Sequence, residues 1–200
     1  MKPIEYKGGI TREQFLYYET KIVARLVLQG LSQNEITDII IRDNLFQMPT
    51  EKSIRSIASG LYKRVTCCDN TNLIDLIANG TMDVSKQASL YLFMLYNRLV
   101  WEFMVDLIGE KFRLKDYSFD KGDLNLFISN IQRADSDVEA WSDTTIVKVK
   151  GVLIKCLADT GYLNSIKDKE LNPVYLCDEV LDCIRQNNDE EVLKAFNYFE

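Results

Sequence analysis

Residues 50–66, TEKSIRSIASGLYKRVT, form a short basic segment in a chain that is otherwise acidic. Wound as a helix, it gathers Ile54, Ile57, Ala58, Leu61 and Val65 on one stripe and Lys52, Arg55, Ser56, Ser59 and Lys63 on the other, with Arg64 closing the block. Long cations reach phosphates, and short hydroxyl side chains between them let a backbone lie close to a groove. That chemistry is nucleic-acid contact. An ordinary solvated face carries the same pattern, and the spacing alone does not separate the two.

Charge is unevenly spread. Residues 1–66 hold 10 Lys/Arg against 7 Asp/Glu, while the whole chain holds 24 against 30, so the first third is +3 and the remainder −9. Any contact with DNA is therefore local and screened by salt. The acidic remainder suits a basic protein partner equally well. A second, sparser set of cations, Lys148, Lys150, Lys155, Lys167 and Lys169, makes a secondary basic patch diluted by Asp159, Asp168 and Glu170.

Catalytic chemistry finds little to work with. The chain has no histidine, which removes Ser-His and Cys-His pairs and the commonest general base. No glycine-rich phosphate loop is present. Five cysteines, Cys67, Cys68, Cys156, Cys177 and Cys183, lack metal-ligand spacing. The expectation is a non-enzyme with no metal, no cofactor and no small-molecule substrate.

The elements that must position the basic stripe follow from periodicity and caps. With 46% hydrophobic residues, three prolines and nine glycines in 200 residues, the expected class is all-α. A capping box at Thr11–Gln14 opens a first helix carrying Phe15, Tyr18, Ile22, Val23 and Leu26 to Gly30. Ser32 and Glu35 open a second, with Ile36, Ile39 and Ile40 inward. Asn44-Leu45-Phe46-Gln47 leads through Pro49 to Thr50, which caps the basic helix. This order matches a helix-turn-helix plan with a long turn, or an ordinary three-helix unit. The expected division is 1–66 and a C-terminal helical bundle, 67–200, packed with it as one unit.

Downstream, a short helix at Leu73–Ala78 precedes one long helix from about Asp83 to Phe112, apolar nearly all round and so central to the bundle. Further helices are expected at Asp123–Arg133, from Ser142 to Asp159, and at about Leu176–Gln186 and Asp189–Phe199. A short hairpin near 162–175 would hold Lys167 and Lys169 as a wing. The start of the chain has no apolar leader core, and the apolar stretch Gln87–Asn97 is too short to cross a bilayer. A cytoplasmic, non-membrane protein is expected.

The chain also resembles the BrxA family of bacteriophage-exclusion (BREX) defence cassettes. The likeness rests on Glu19, Val23-Ala24, Leu26 to Gly30, Ile36, Asn44-Leu45-Phe46-Gln47, Thr50 and Arg64. Gln87-Ala88, Glu102-Phe103, Lys111-Phe112, Trp141-Ser142, Leu157 and Gly161-Tyr162-Leu163 continue it. The resemblance implies a helical core similar to the NusB fold, binding of double-stranded DNA without catalysis, and other BREX proteins as partners. A protein-protein adaptor in the same complex and an RNA-binding NusB-like protein are the alternatives.

Overall fold

A computed structural model describes residues 3, 5, 6 and 8–199 of the chain. The stretch read as lacking a leader core lies partly outside them. The described residues carry eleven α-helices: α1 Tyr17–Leu28, α2 Gln33–Arg42, α3 Glu51–Val65, α4 Thr71–Asn79, α5 Met82–Tyr96, α6 Arg98–Glu102, α7 Gly109–Arg113, α8 Lys121–Ala134, α9 Ser136–Glu139, α10 Asp143–Asp159 and α11 Asp178–Gln186. The class is all-α. No helix among the described residues is long and apolar enough to cross a membrane.

Local signals account for most helix starts. Ser32 accepts from the Glu35 amide while the Glu35 carboxylate takes the Ser32 amide at 2.8 Å, a complete capping box worth about 1 kcal/mol. Thr50 caps α3, Asn70 caps α4, Asp120 caps α8 and Ser142 caps α10. Glu35 is held below the usual carboxylate range by its bonds from Ser32.

The first helix departs from the sequence expectation. Residues Gly8–Thr11 form a 3-10 turn, and α1 begins only at Tyr17, so Thr11–Gln14 is not its cap. Leu16 takes a left-handed backbone, φ 46°, immediately before it. Phe15 is buried at this bend, whereas Tyr18, assigned to the apolar stripe, is 70% exposed. Burying Phe15 outside the helix turns the register of α1 away from the expected face.

The long apolar run is broken. Asn97, with φ −136° and ψ 115°, leaves α5, and its side chain caps α6 by accepting from the Leu99 amide at 3.0 Å. A π-helical segment, Phe103–Ile108, then joins α6 to α7. The burial expectation nevertheless largely holds: Leu90, Phe93, Met94, Leu99, Trp101, Phe103, Met104 and Ile108 are buried, with Leu95 and Leu107 partly covered. Hydrophobic patterning registers burial all round and is blind to one residue in extended conformation.

The hairpin expected near 162–175 is absent from the described residues. Lys169, Glu170 and Leu171 instead run antiparallel to the loop before α8. The Phe119 amide donates to the Lys169 carbonyl at 2.8 Å and the Leu171 amide to the Tyr117 carbonyl at 2.7 Å. Buried Tyr162 and Leu163 hold the start of the segment in the core, its hydroxyl and amide bonded to Ala195 and Leu157. That leaves 169–171 to pair elsewhere. The last turn expected as α-helix is a 3-10 segment, Glu190–Phe196.

Candidate nucleic-acid interface

The stripe reading of α3 holds in space. Ile54, Ala58, Leu61 and Val65 are buried and Ile57 is partly covered. On the opposite side Lys52, Arg55, Ser56 and Lys63 are exposed. Ser59 is half-buried and accepts from Gln33 Nε2 of α2 at 3.1 Å, so it ties two helices together rather than facing solvent freely. Arg55 lies 3.8 Å from both Asp38 of α2 and Glu51 one turn back. Both pairs are solvent-exposed, and such pairs hold by less than about 1 kcal/mol, which a phosphate can displace.

Arg64 does not belong to this row. Only 1% exposed, it turns inward, where the guanidinium donates to the Phe15 carbonyl at 3.0 Å, the Gln14 carbonyl at 2.8 Å and the Glu13 carbonyl. It also stacks on the Phe93 ring, 4.2 Å from its centroid. Burial lowers its pKa to about 10, which leaves it charged at neutral pH. The spacing at the end of a basic helix hid an arginine on the core side, because position 64 falls at the edge between the two stripes. Its role is to fasten residues 13–15 across α3. Gly60 permits that closeness: the Glu13 carboxylate passes within 2.7 Å of where a Cβ would stand.

The secondary patch divides in three. Lys148 and Lys155 stand on one face of α10, and with Thr11, Arg12, Gln14 and Gly151 they line a groove of about 570 Å³ between the N-terminal segment and that helix. Lys155 Nζ donates to the Gln14 side-chain carbonyl at 3.4 Å. Lys150 is turned away and donates to Asn125 of α8 at 2.7 Å. Lys167 and Lys169 border a separate hollow of about 590 Å³ with Asp120, Lys121 and Asp168. Lysines on one sequence segment thus serve different surfaces.

Arg12, Gly151 and Val152 of the groove lie outside what the sequence marks. Arg12 sits inside the capping-box pattern Thr11–Gln14, and no local signal links it to a helix some 140 residues later. Gly151 did leave a signal. It sits at the middle of α10, exposed, with no atom within 4 Å of where a Cβ would stand, and an interior helix glycine costs about 1 kcal/mol relative to alanine. Packing within the chain does not require it.

Among the described residues no group of three or more Cys, Asp or Glu side chains is placed to hold a metal. Among the described residues none of the five cysteines is joined in a disulfide. Cys68, just beyond α3, has its pKa lowered to about 7, chiefly by a hydrogen bond from the Cys67 side chain.

Comparison with known proteins gives one consistent result. The profile of the family described as BrxA matches residues 4–188. The BREX protein BrxA of Bacillus cereus (strain H3081.97) is 34% identical over 185 residues, 92% of each chain. That of Paramagnetospirillum magneticum is 21% identical over 95% of each chain, and that of Escherichia coli O9:H4 is 22% identical over 93% of this chain and 87% of its own. A crystal structure of an uncharacterized protein from Magnetospirillum magneticum superposes with a TM-score of 0.83 at 21% identity, covering 96% of this chain and 98% of that one. The fold is thus shared along nearly the whole length.

Proposed function

The chain belongs to the BrxA family of BREX proteins, and from that premise we propose that it is a non-catalytic, DNA-binding component of such a defence system. It acts in the cytoplasm alongside other BREX proteins and grips double-stranded DNA mainly by its phosphates.

One observation carries this reading: Lys52, Arg55, Ser56 and Lys63 are all exposed along one face of a helix whose other face is core. α2 and α3 pack directly on each other through an eight-residue connection from Asp43 to Thr50, a packing that supports a helix-turn-helix-like reading with a longer turn than the three or four residues of that motif. Asn44 and Gln47 turn that connection with left-handed backbones, and buried Phe46 pins it. Such a helix offers cations to phosphates while Arg55 alone can present a bidentate fork to a base edge. Affinity then depends steeply on salt and weakly on sequence.

The test is fluorescence anisotropy of a labelled duplex of about 30 base pairs at two salt concentrations, comparing wild type with Lys52→Glu/Arg55→Glu/Lys63→Glu. Salt-sensitive binding that the triple variant loses supports the reading. Binding indifferent to salt, or retained in full by the variant, overturns it. Competition with RNA of equal length separates the NusB-like alternative. Capture of a partner protein that survives nuclease treatment, with no duplex binding by the folded protein, favours the adaptor.

A further inference from the structure

The groove between the N-terminal segment and α10 has the chemistry of a second phosphate seat. Arg12 comes from one wall, Lys148 and Lys155 from the other, and no acidic side chain is among the residues lining it. None of the three cations forms an ion pair among the described residues. The nearest carboxylate on α10 is Asp159, one turn beyond Lys155, and its charge faces both Lys155 and Lys86.

The floor explains the glycine. Lys148 and Lys155 are seven residues apart, which on an α-helix is about 10 Å. A DNA strand rises about 3.4 Å along the duplex axis per nucleotide while also winding round it, so successive phosphates stand further apart than that rise and this span takes in about one to two phosphate steps of one backbone. Gly151 lies between the two lysines with nothing above it. A residue without a side chain is what a backbone needs in order to approach a helix closely, whereas a free carboxylate or small anion held by lysine tips would not.

We propose that this groove seats the phosphodiester backbone of bound DNA, as a second contact site besides the outer row of α3. The proposal rests on the DNA-binding reading above. The two sites are mechanically joined. Gln14 lines the groove, and its main-chain carbonyl is held by Arg64 from within α3. The groove wall and the α3 row therefore move as one body, and a backbone lying across both meets a fixed spacing of cations.

The experiment uses the same labelled duplex and three proteins besides wild type: the α3 triple variant, Arg12→Gln/Lys148→Gln/Lys155→Gln, and Gly151→Leu, each checked for helical content by circular dichroism. The groove triple variant is expected to lower the slope of log affinity against log salt by roughly two to three, since each neutralised phosphate contributes about 0.9. Gly151→Leu removes no charge and improves helix propensity, so it tests the close approach alone. It is expected to weaken binding at least about tenfold while raising or preserving Tm. Wild-type slope in the groove variant, or full affinity in Gly151→Leu, overturns the groove while leaving the α3 reading intact if the α3 variant still loses binding. Wild type that fails to bind the duplex overturns both.

Discussion

Arg64 and Lys155 hold the two carbonyls of the same residue. Arg64 Nη2 donates to the main-chain oxygen of Gln14 at 2.8 Å, and Lys155 Nζ reaches its side-chain oxygen at 3.4 Å. One cation is buried and structural; the other is exposed and available. Through Gln14, helices α3 and α10 share an anchor that lies far from either in sequence.

Arg64 is accordingly a stability residue. Arg64→Met keeps much of the packing on Phe93 but leaves the part-buried carbonyls of Glu13 and Gln14 without this donor and Phe15 with only the long bond from the Thr20 hydroxyl at 3.4 Å, which together costs about 3 kcal/mol. For a chain of this size that is a fall in Tm of roughly 6–12 °C by calorimetry. Arg64→Lys recovers little, because a point cation cannot reproduce the fork that serves Glu13, Gln14 and Phe15 together. A Tm within a degree of wild type for either variant would contradict this role.

Asp38 is expected to act as a brake on α3. Its carboxylate competes for Arg55 at 3.8 Å, and removing it frees the guanidinium and lowers local repulsion of phosphate. Asp38→Asn should tighten duplex binding about two- to fivefold at low salt, an effect of the order of one exposed ion pair. The gain should vanish at high salt, where the charges are screened. Equal affinity of the two proteins at low salt would sink the idea.

The Lys111 ammonium lies 2.9 Å from Asp116 and 3.1 Å from Asp123, joining α7 to the start of α8. Bonds from the Ser118 hydroxyl and from Lys111 hold the Asp116 pKa down to about 2. A carboxylate depressed in this way stabilises the fold above its unfolded value near 3.8. That contribution is lost as pH falls through about 2. Carboxyl-carbon NMR titration should find the midpoint near 2 in wild type and higher in Ser118→Ala, with Lys111→Met moving it the same way.

Cys68 should be substantially thiolate at neutral pH. Its ultraviolet thiolate absorbance is expected to titrate near pH 7, and Cys67→Ala, which removes the first cause of the shift, should move the midpoint toward the ordinary thiol range. An unchanged midpoint would show that the neighbouring thiol is not responsible.

Much of this architecture can be read before any coordinates are seen, and the exceptions have physical causes. Ser32, Thr50 and Ser142 announce helix starts because a cap is a local device, settled within four residues. The buried side of α3 is legible for the same reason: periodicity is local. The groove is not, since Arg12 meets Lys148 and Lys155 only after the whole chain has folded between them. Arg64 reads as part of the outer row because charge is the stronger cue in a sequence, while the three carbonyls that draw it inward belong to the backbone and leave no letter. The breaks at Leu16 and Asn97 are silent in the sequence because each changes direction by a single dihedral pair, which neither composition nor spacing records.

The interruption at Asn97 also decides what the chain does with its own ends. An unbroken helix from Met82 to Arg113 would extend about 48 Å at 1.5 Å per residue, longer than a compact body of 200 residues is wide. Its far half would project with its apolar girdle bare. Such a spine is the usual starting point for exchange of halves between two copies, each lending its protruding arm to the other's core. The asparagine breaks that spine within its length, and the residues on both sides of the break bury their apolar sides in one shared core.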